Sequence, residues 1–152
     1  MPRSIVLSIP EQNVSVVADL LDDAAPKTCA LVWDALPVDG TLIHGMYSGP
    51  ELFIVLPGFP PVEAENQVQR ALPGDVGYWH LQAGLHAAAP NEVAELVFVY
   101  DRGVSIKETD GSDSWVNLFA RIRTAEADNF FAVCKRRRRE GPWTLRVERL
   151  DS

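Results

Sequence analysis

The sequence predicts a mainly β protein: a closed antiparallel β-barrel of about eight strands with two short helices. Three observations carry this. Short runs rich in β-branched and aromatic residues recur along the 152 residues, separated by Gly, Pro, Asn and Asp. Two segments only show helical apolar spacing. Two helices are too few for alternating βαβ units, which leaves an antiparallel sheet. The length suits one domain, residues 1–152. A chain of this size buries roughly 70% of its unfolded surface, so the core needs neither disulfides nor metal.

Taken in order, residues 3–9 and 14–21 are β-branched, and Glu11-Gln12-Asn13 between them reads as a hairpin turn. Asp22, Asp23 and Pro26 mark a helix entry. Cys29, Val32, Trp33 and Leu36 follow at i, i+3, i+4 and i+7, predicting a helix over 26–36 that Pro37 and Gly40 end. Residues 41–47 and 51–56 flank Ser48-Gly49-Pro50, a second hairpin. The pair Pro60-Pro61 makes a loop, with a short edge strand at 62–67. Pro73-Gly74-Asp75 turns the chain into a strand at 76–81, and Asp75 reads as the carboxylate that caps this turn. Residues 84–91 read as loop and 95–101 as an apolar strand. Asp110-Gly111 is a turn, and 116–122 alternates as a strand. Thr124 is placed to cap a second helix over 125–138, with Ala127, Phe130, Phe131 and Cys134 on its apolar face and Gly141 as its stop. Residues 144–150 close the sheet.

Charge is uneven. Residues 1–134 hold 7 basic against 18 acidic side chains, a net of −11; residues 135–152 hold 7 against 3, a net of +4. An acidic body repels nucleic acid and anionic membrane surfaces, so neither is expected as a partner. No apolar run is long enough to span a bilayer, and the N-terminus reads as a first strand in place of a secretory signal. Cys29 and Cys134 are not a CxxC pair and are expected to be buried, reduced thiols, which points to the cytoplasm. The run Lys135-Arg136-Arg137-Arg138-Arg139 reads as a solvated helix end, its cations favourable against the C-terminal partial charge.

Three segments resemble one family. Asp22 to Leu36 resembles the acidic–Pro-Lys-Thr helix after the first hairpin of cyclophilins. Gly74 to His80 resembles the Gly-Asp-x-x-Tyr-Trp segment of small prokaryotic cyclophilin-like proteins. Residues 116–150 resemble the strand–helix–strand ending of cyclophilins. The likeness is to the uncharacterised bacterial cyclophilin-like families; it implies a closed barrel capped by two helices and no established activity. Cyclophilins carry an Arg on the strand after the first helix. The corresponding residues 41–47 hold His44 and Met46 but no Arg. The X-Pro rotation barrier of about 20 kcal/mol needs electrostatic help to lower, and negligible prolyl isomerase activity is expected.

There is no HExxH motif, no Cys/His cluster with metal spacing, no GxSxG and no P-loop, so neither metal nor cofactor is expected. The candidate ligand-binding residues are His44, Met46, Tyr47, Glu51, Tyr78, Trp79, His80 and Trp115. His44, His80 and Glu51 come from different strands and could converge. Tyr47, Tyr78, Trp79 and Trp115 are aromatics suited either to the core or to a half-buried groove. The reading is a module binding a small molecule or peptide in a barrel groove. The alternative is an enzyme, a degenerate prolyl isomerase or a small-molecule hydrolase or isomerase using His44. Trp115 and Trp143 stand beside turns, which suggests a homodimer that covers them.

Overall fold

A computed structural model describes residues 2–81 and 92–151. Ser4–Ile9 (β1) and Val14–Leu20 (β2) form an antiparallel hairpin around a 3-10 turn at Pro10–Gln12. Asn13 closes that turn at φ +51°, a left-handed conformation that Asn tolerates. Pro26–Ala35 (α1) follows. Then come Val38–His44 (β3), Glu51–Val55 (β4), Gln67–Val68 (β5), Asp75–Leu81 (β6), Val93–Val99 (β7), Val116–Ile122 (β8), Asp128–Arg136 (α2) and Trp143–Arg149 (β9). The order around the sheet is β2-β1-β9-β3-β4-β7-β6-β8, and β8 pairs back to β2. This closes an antiparallel barrel of eight strands and removes its edges. The ninth, β5, pairs with the start of β8.

Strand alternation divides the apolar residues between two faces. On β7, Ala94, Leu96 and Phe98 point into the barrel, with Leu7, Leu42, Leu52, Ile54, Val76 and Leu145. The helices add Cys29 and Val32 from α1 and Phe130, Val133 and Cys134 from α2. The Phe98 and Phe130 rings meet at 5.7 Å. Val97 and Val99 point outwards, yet they are buried too, in a second cluster with Trp79, Leu81, Val104, Ile106 and Val116. This outer cluster exists because residues 104–106 cross the barrel wall: Ser105 N–H donates to Ser48 O and Ile106 N–H to Gln69 O.

Several element ends differ from the sequence reading. Gly40 lies inside β3, not at a stop. A Cβ there would meet the Ile54 Cβ at 3.2 Å, so its bare backbone lets β4 approach. The expected edge strand at 62–67 is instead the two-residue β5, because residues 63–65 serve α1. Glu65 accepts from the Lys27 and Thr28 amides and the Thr28 hydroxyl, so the cap of α1 comes from a distant loop. Buried Asn117 ties this loop down, donating to Thr28 Oγ1 and Glu63 O. Thr124 opens a 3-10 turn, not α2, which starts at Asp128 without a side-chain cap.

Asp75 accepts from the Leu72 amide, as a turn cap does. Cys29 and Cys134 are unbonded and buried, and burial pushes both thiols up, Cys29 to about 12. Trp143 is not peripheral: it is 5% exposed, packed in the barrel core with Arg136 over its ring. The loop expected at 84–91 lies outside the described residues.

Candidate functional site

The second apolar cluster is the floor of a pocket of about 330 Å³ on the outer face of the barrel. Its walls are Phe53, Trp79, Val97, Ile106 and Val116. The β3–β4 turn, residues 45–48, forms one rim, and residues 106–109 form the other. The two rims are joined, since the Lys107 amide donates to Ser48 Oγ.

Two carboxyls stand in this apolar setting. Glu51 begins β4 and Glu95 lies on β7; alternation puts them on the outer face with Phe53 and Val97. Glu51 is 6% exposed. Among the described residues neither carboxyl has a hydrogen-bond donor or a cation on it. Burial pushes Glu51 up to about 7. Burial, with the Glu51 charge added, pushes Glu95 up to about 8. Both therefore titrate close to neutral pH, against an ordinary Glu value of 4.5.

Gly45 makes room for the first of them. A Cβ at Gly45 would fall 1.5 Å from Glu51 Oε1 and 2.4 Å from its Cδ. Gly45→Ala is therefore expected to drive the Glu51 carboxyl out of its niche while leaving the barrel folded. Carboxyl 13C NMR checks this: the Glu51 titration should fall from about 7 towards the ordinary carboxylate range. An unchanged titration would contradict it.

His44, at the end of β3, is held at both ring nitrogens. Nδ1 lies 2.7 Å from Gly45 O, and Nε2 lies 2.7 Å from the Tyr100 hydroxyl. The carbonyl can only accept, so Nδ1 carries the proton and Nε2 accepts from Tyr100. Burial holds the imidazole below its ordinary value, in keeping with a neutral ring. Arg138 Nε stands 3.4 Å from Nδ1, but both are donors, so this is a contact and not a hydrogen bond. A ring engaged in this way has no lone pair to offer a substrate.

The structure gathers His44, Met46, Tyr47, Glu51 and Trp79 around the pocket. Met46 and Tyr47 form its lip, 81% and 53% exposed. Trp79 lies in the wall and donates through Nε1 to Ser114 Oγ. Three candidates lie elsewhere. Tyr78 faces the barrel interior and donates to Pro60 O. His80 pairs with Glu92, so it does not converge with His44 and Glu51. Trp115 is 49% exposed and outside the lining. Sequence reasoning missed Glu95, a lone carboxylate at the head of an apolar strand.

The basic run is largely engaged within the chain. Lys135 approaches Asp101, Arg136 pairs with Glu140, and Arg137 donates to Leu42 O and Glu140 O. Arg137 and Arg138 border a second hollow that shares Ile43, His44, Gly45 and Met46 with the pocket. Among the described residues no His, Cys, Asp and Glu group could hold a metal ion. No helix of the described residues is long and apolar enough to cross a membrane.

A family model described as "Protein of unknown function (DUF3830)" matches residues 7–148. No curated protein matches the chain. Among solved structures, McbB in complex with tryptophan is similar in fold, with TM-score 0.70 and 17% identity over 97% of this chain; the chain spans 45% of that protein. The solution structure of the hypothetical protein AF2241 from Archaeoglobus fulgidus is similar with TM-score 0.57 and 19% identity, over 98% of this chain and 95% of that one.

Proposed function

The chain belongs to the DUF3830 family, whose function is unknown, and we propose that it is a cyclophilin-like barrel that binds a small organic molecule in the outer-face pocket. One observation carries this reading: an apolar cavity of about 330 Å³ is lined by a carboxyl that is 6% exposed and has no partner among the described residues. The volume falls within the span of small-ligand sites, roughly 300–1,000 Å³. A carboxyl set in an apolar wall costs desolvation, which a ligand with hydrogen-bond donors offsets. McbB, which this chain matches over 45% of its length, was solved in complex with tryptophan, in keeping with a small organic ligand.

The test is 1H–15N NMR with a panel of neutral, cationic and anionic small molecules. Perturbed amides should cluster at residues 43–48, 95–97 and 106–109, with the Trp79 indole. A panel without binders, or binders that map elsewhere, would overturn the reading.

A second reading is an enzyme in which Glu51 moves a proton. A carboxyl that titrates at about 7 is suited to general acid–base work at neutral pH. His44 fits that role less well, since both nitrogens are engaged. Prolyl isomerase activity stays at background in this reading, because 41–47 supply no guanidinium.

The buried, unbonded thiols support a reducing compartment, the cytoplasm. The acidic body argues against nucleic acid as a partner. Self-association stays attached to Trp115 alone, the exposed member of the aromatic pair. Light scattering should give more than the monomer mass of 16.8 kDa at micromolar concentration; that mass throughout a tenfold dilution series would end the dimer proposal.

A further inference from the structure

We infer that the pocket selects an organic cation, a primary ammonium carried on an aromatic or aliphatic body, with Glu51 and Glu95 taking the ammonium and Trp79 and Phe53 the body. This rests on the reading of the pocket as the ligand site and names the class of ligand.

Glu51 comes from β4 and Glu95 from β7, and both line the same space. Neither has a donor or a cation among the described residues. Glu51 is 6% exposed, and what remains open of it faces the pocket. A protein that needed only an apolar pocket gains nothing from two such carboxyls, since each costs desolvation. An ammonium carries three donors and a full positive charge, so it can donate to either carboxyl and offsets the repulsion between them.

The other walls agree. Trp79 stands directly opposite Glu95 across the β6–β7 ladder. An indole and a phenyl ring beside carboxylates make a wall that attracts a cation and covers an apolar chain. The remaining polar groups do not compete. His44 is neutral and engaged by Tyr100 and Gly45. Lys107 is held by Asp113. Tyr47 lies at the lip, and Arg137 and Arg138 line the adjoining hollow and not the pocket itself.

A bound ammonium favours the ionised carboxyls, so binding releases protons near neutral pH. Affinity should then rise with pH through the range in which Glu51 and Glu95 titrate, about 7 and about 8.

The experiment compares 2-phenylethylamine, 2-phenylethanol and 3-phenylpropionate by chemical-shift titration of the full chain at pH 6 and pH 8.5. At pH 8.5 the amine should bind at least about tenfold more tightly than the alcohol, and the acid more weakly still. At pH 6 the preference for the amine should fall about tenfold. The double variant Glu51→Gln with Glu95→Gln should bind amine and alcohol alike and keep the wild-type circular dichroism spectrum. If that variant does not fold, the pH comparison on the wild-type protein decides. Equal or tighter binding of the alcohol or the acid would overturn the inference, as would a preference that survives in the folded double variant, or no binding by any probe. Neutral or anionic binders mapping to the pocket without amine preference would leave the ligand-site reading standing and remove only the cation.

Discussion

Replacement of Phe98 by Ala is expected to lower the unfolding free energy by about 3–5 kcal/mol. Phe98 is fully buried on the inward face of β7, paired across the ladders with Leu52 on β4 and Val76 on β6. Its ring meets Phe130 of α2 at 5.7 Å, so its loss opens a cavity where barrel and helix join. The closed ladders around it limit how far the walls can collapse, which favours the upper end of that span. Urea denaturation measures the change. Trp115→Ala, on an exposed ring, should shift stability by only about 0.5 kcal/mol. A cost below about 1 kcal/mol for Phe98→Ala would mean that the barrel interior is not packed around this ring.

The second large effect changes with pH. Glu51→Gln is expected to leave stability near the wild-type value at pH 5 and to raise it at pH 8.5 by as much as roughly 3 kcal/mol. The folded carboxyl titrates at about 7, above its ordinary 4.5, because burial penalises the charge. A raised folded value means that the proton is held more tightly in the native state. The stability it contributes is complete below 4.5 and is lost as pH rises through about 7. Glutamine has the shape of the protonated acid and cannot ionise, so the variant escapes that loss. Wild-type and variant melts at the two pH values give the difference directly. The comparison is needed because Asp19 and Asp22, held low by Arg123 and Arg3, act in the opposite direction. A variant less stable than wild type at pH 8.5 would refute the argument.

The bounds of strand β8 could be read from the sequence, because a polar turn precedes residues 116–122, but its faces could not: a register shift opposite Val76 and Gly77 leaves Val116 in the outer cluster and puts Phe119 in the barrel core with Ala120 and Ile122. Helix α1 was legible from four apolar positions, although its cap was not: Glu65 lies 37 residues from Thr28 in sequence. Long-range register explains most of what was hidden. Glu51 was visible as a carboxylate beside His44, while Glu95 became a site residue only once β4 and β7 were paired. One local signal was available. Val97 and Val99 are apolar on the same face as Glu95, and Leu96 and Phe98 are apolar on the other. A strand apolar on both faces must be covered on both. That implied a second layer outside the barrel, on the face that carries Glu95. His80 shows the limit of reasoning from strand membership, since it shares a strand with Trp79 but alternation turns it away from the pocket.

Because β7 is roofed on its outer face by residues 104–106 and filled on its inner face by the barrel core, its amides sit in the middle of the molecule. Hydrogen exchange there has to wait for the whole barrel to open. Exchange in the roof and in the 45–48 turn needs only a local lifting of one layer. The protein therefore carries two clocks, a slow one in the ladder and a fast one in the cover. A molecule entering the pocket would slow the fast clock at concentrations where only a small increment reaches the slow one, so exchange rates at residues 45–48 and 104–107 become a direct gauge of occupancy.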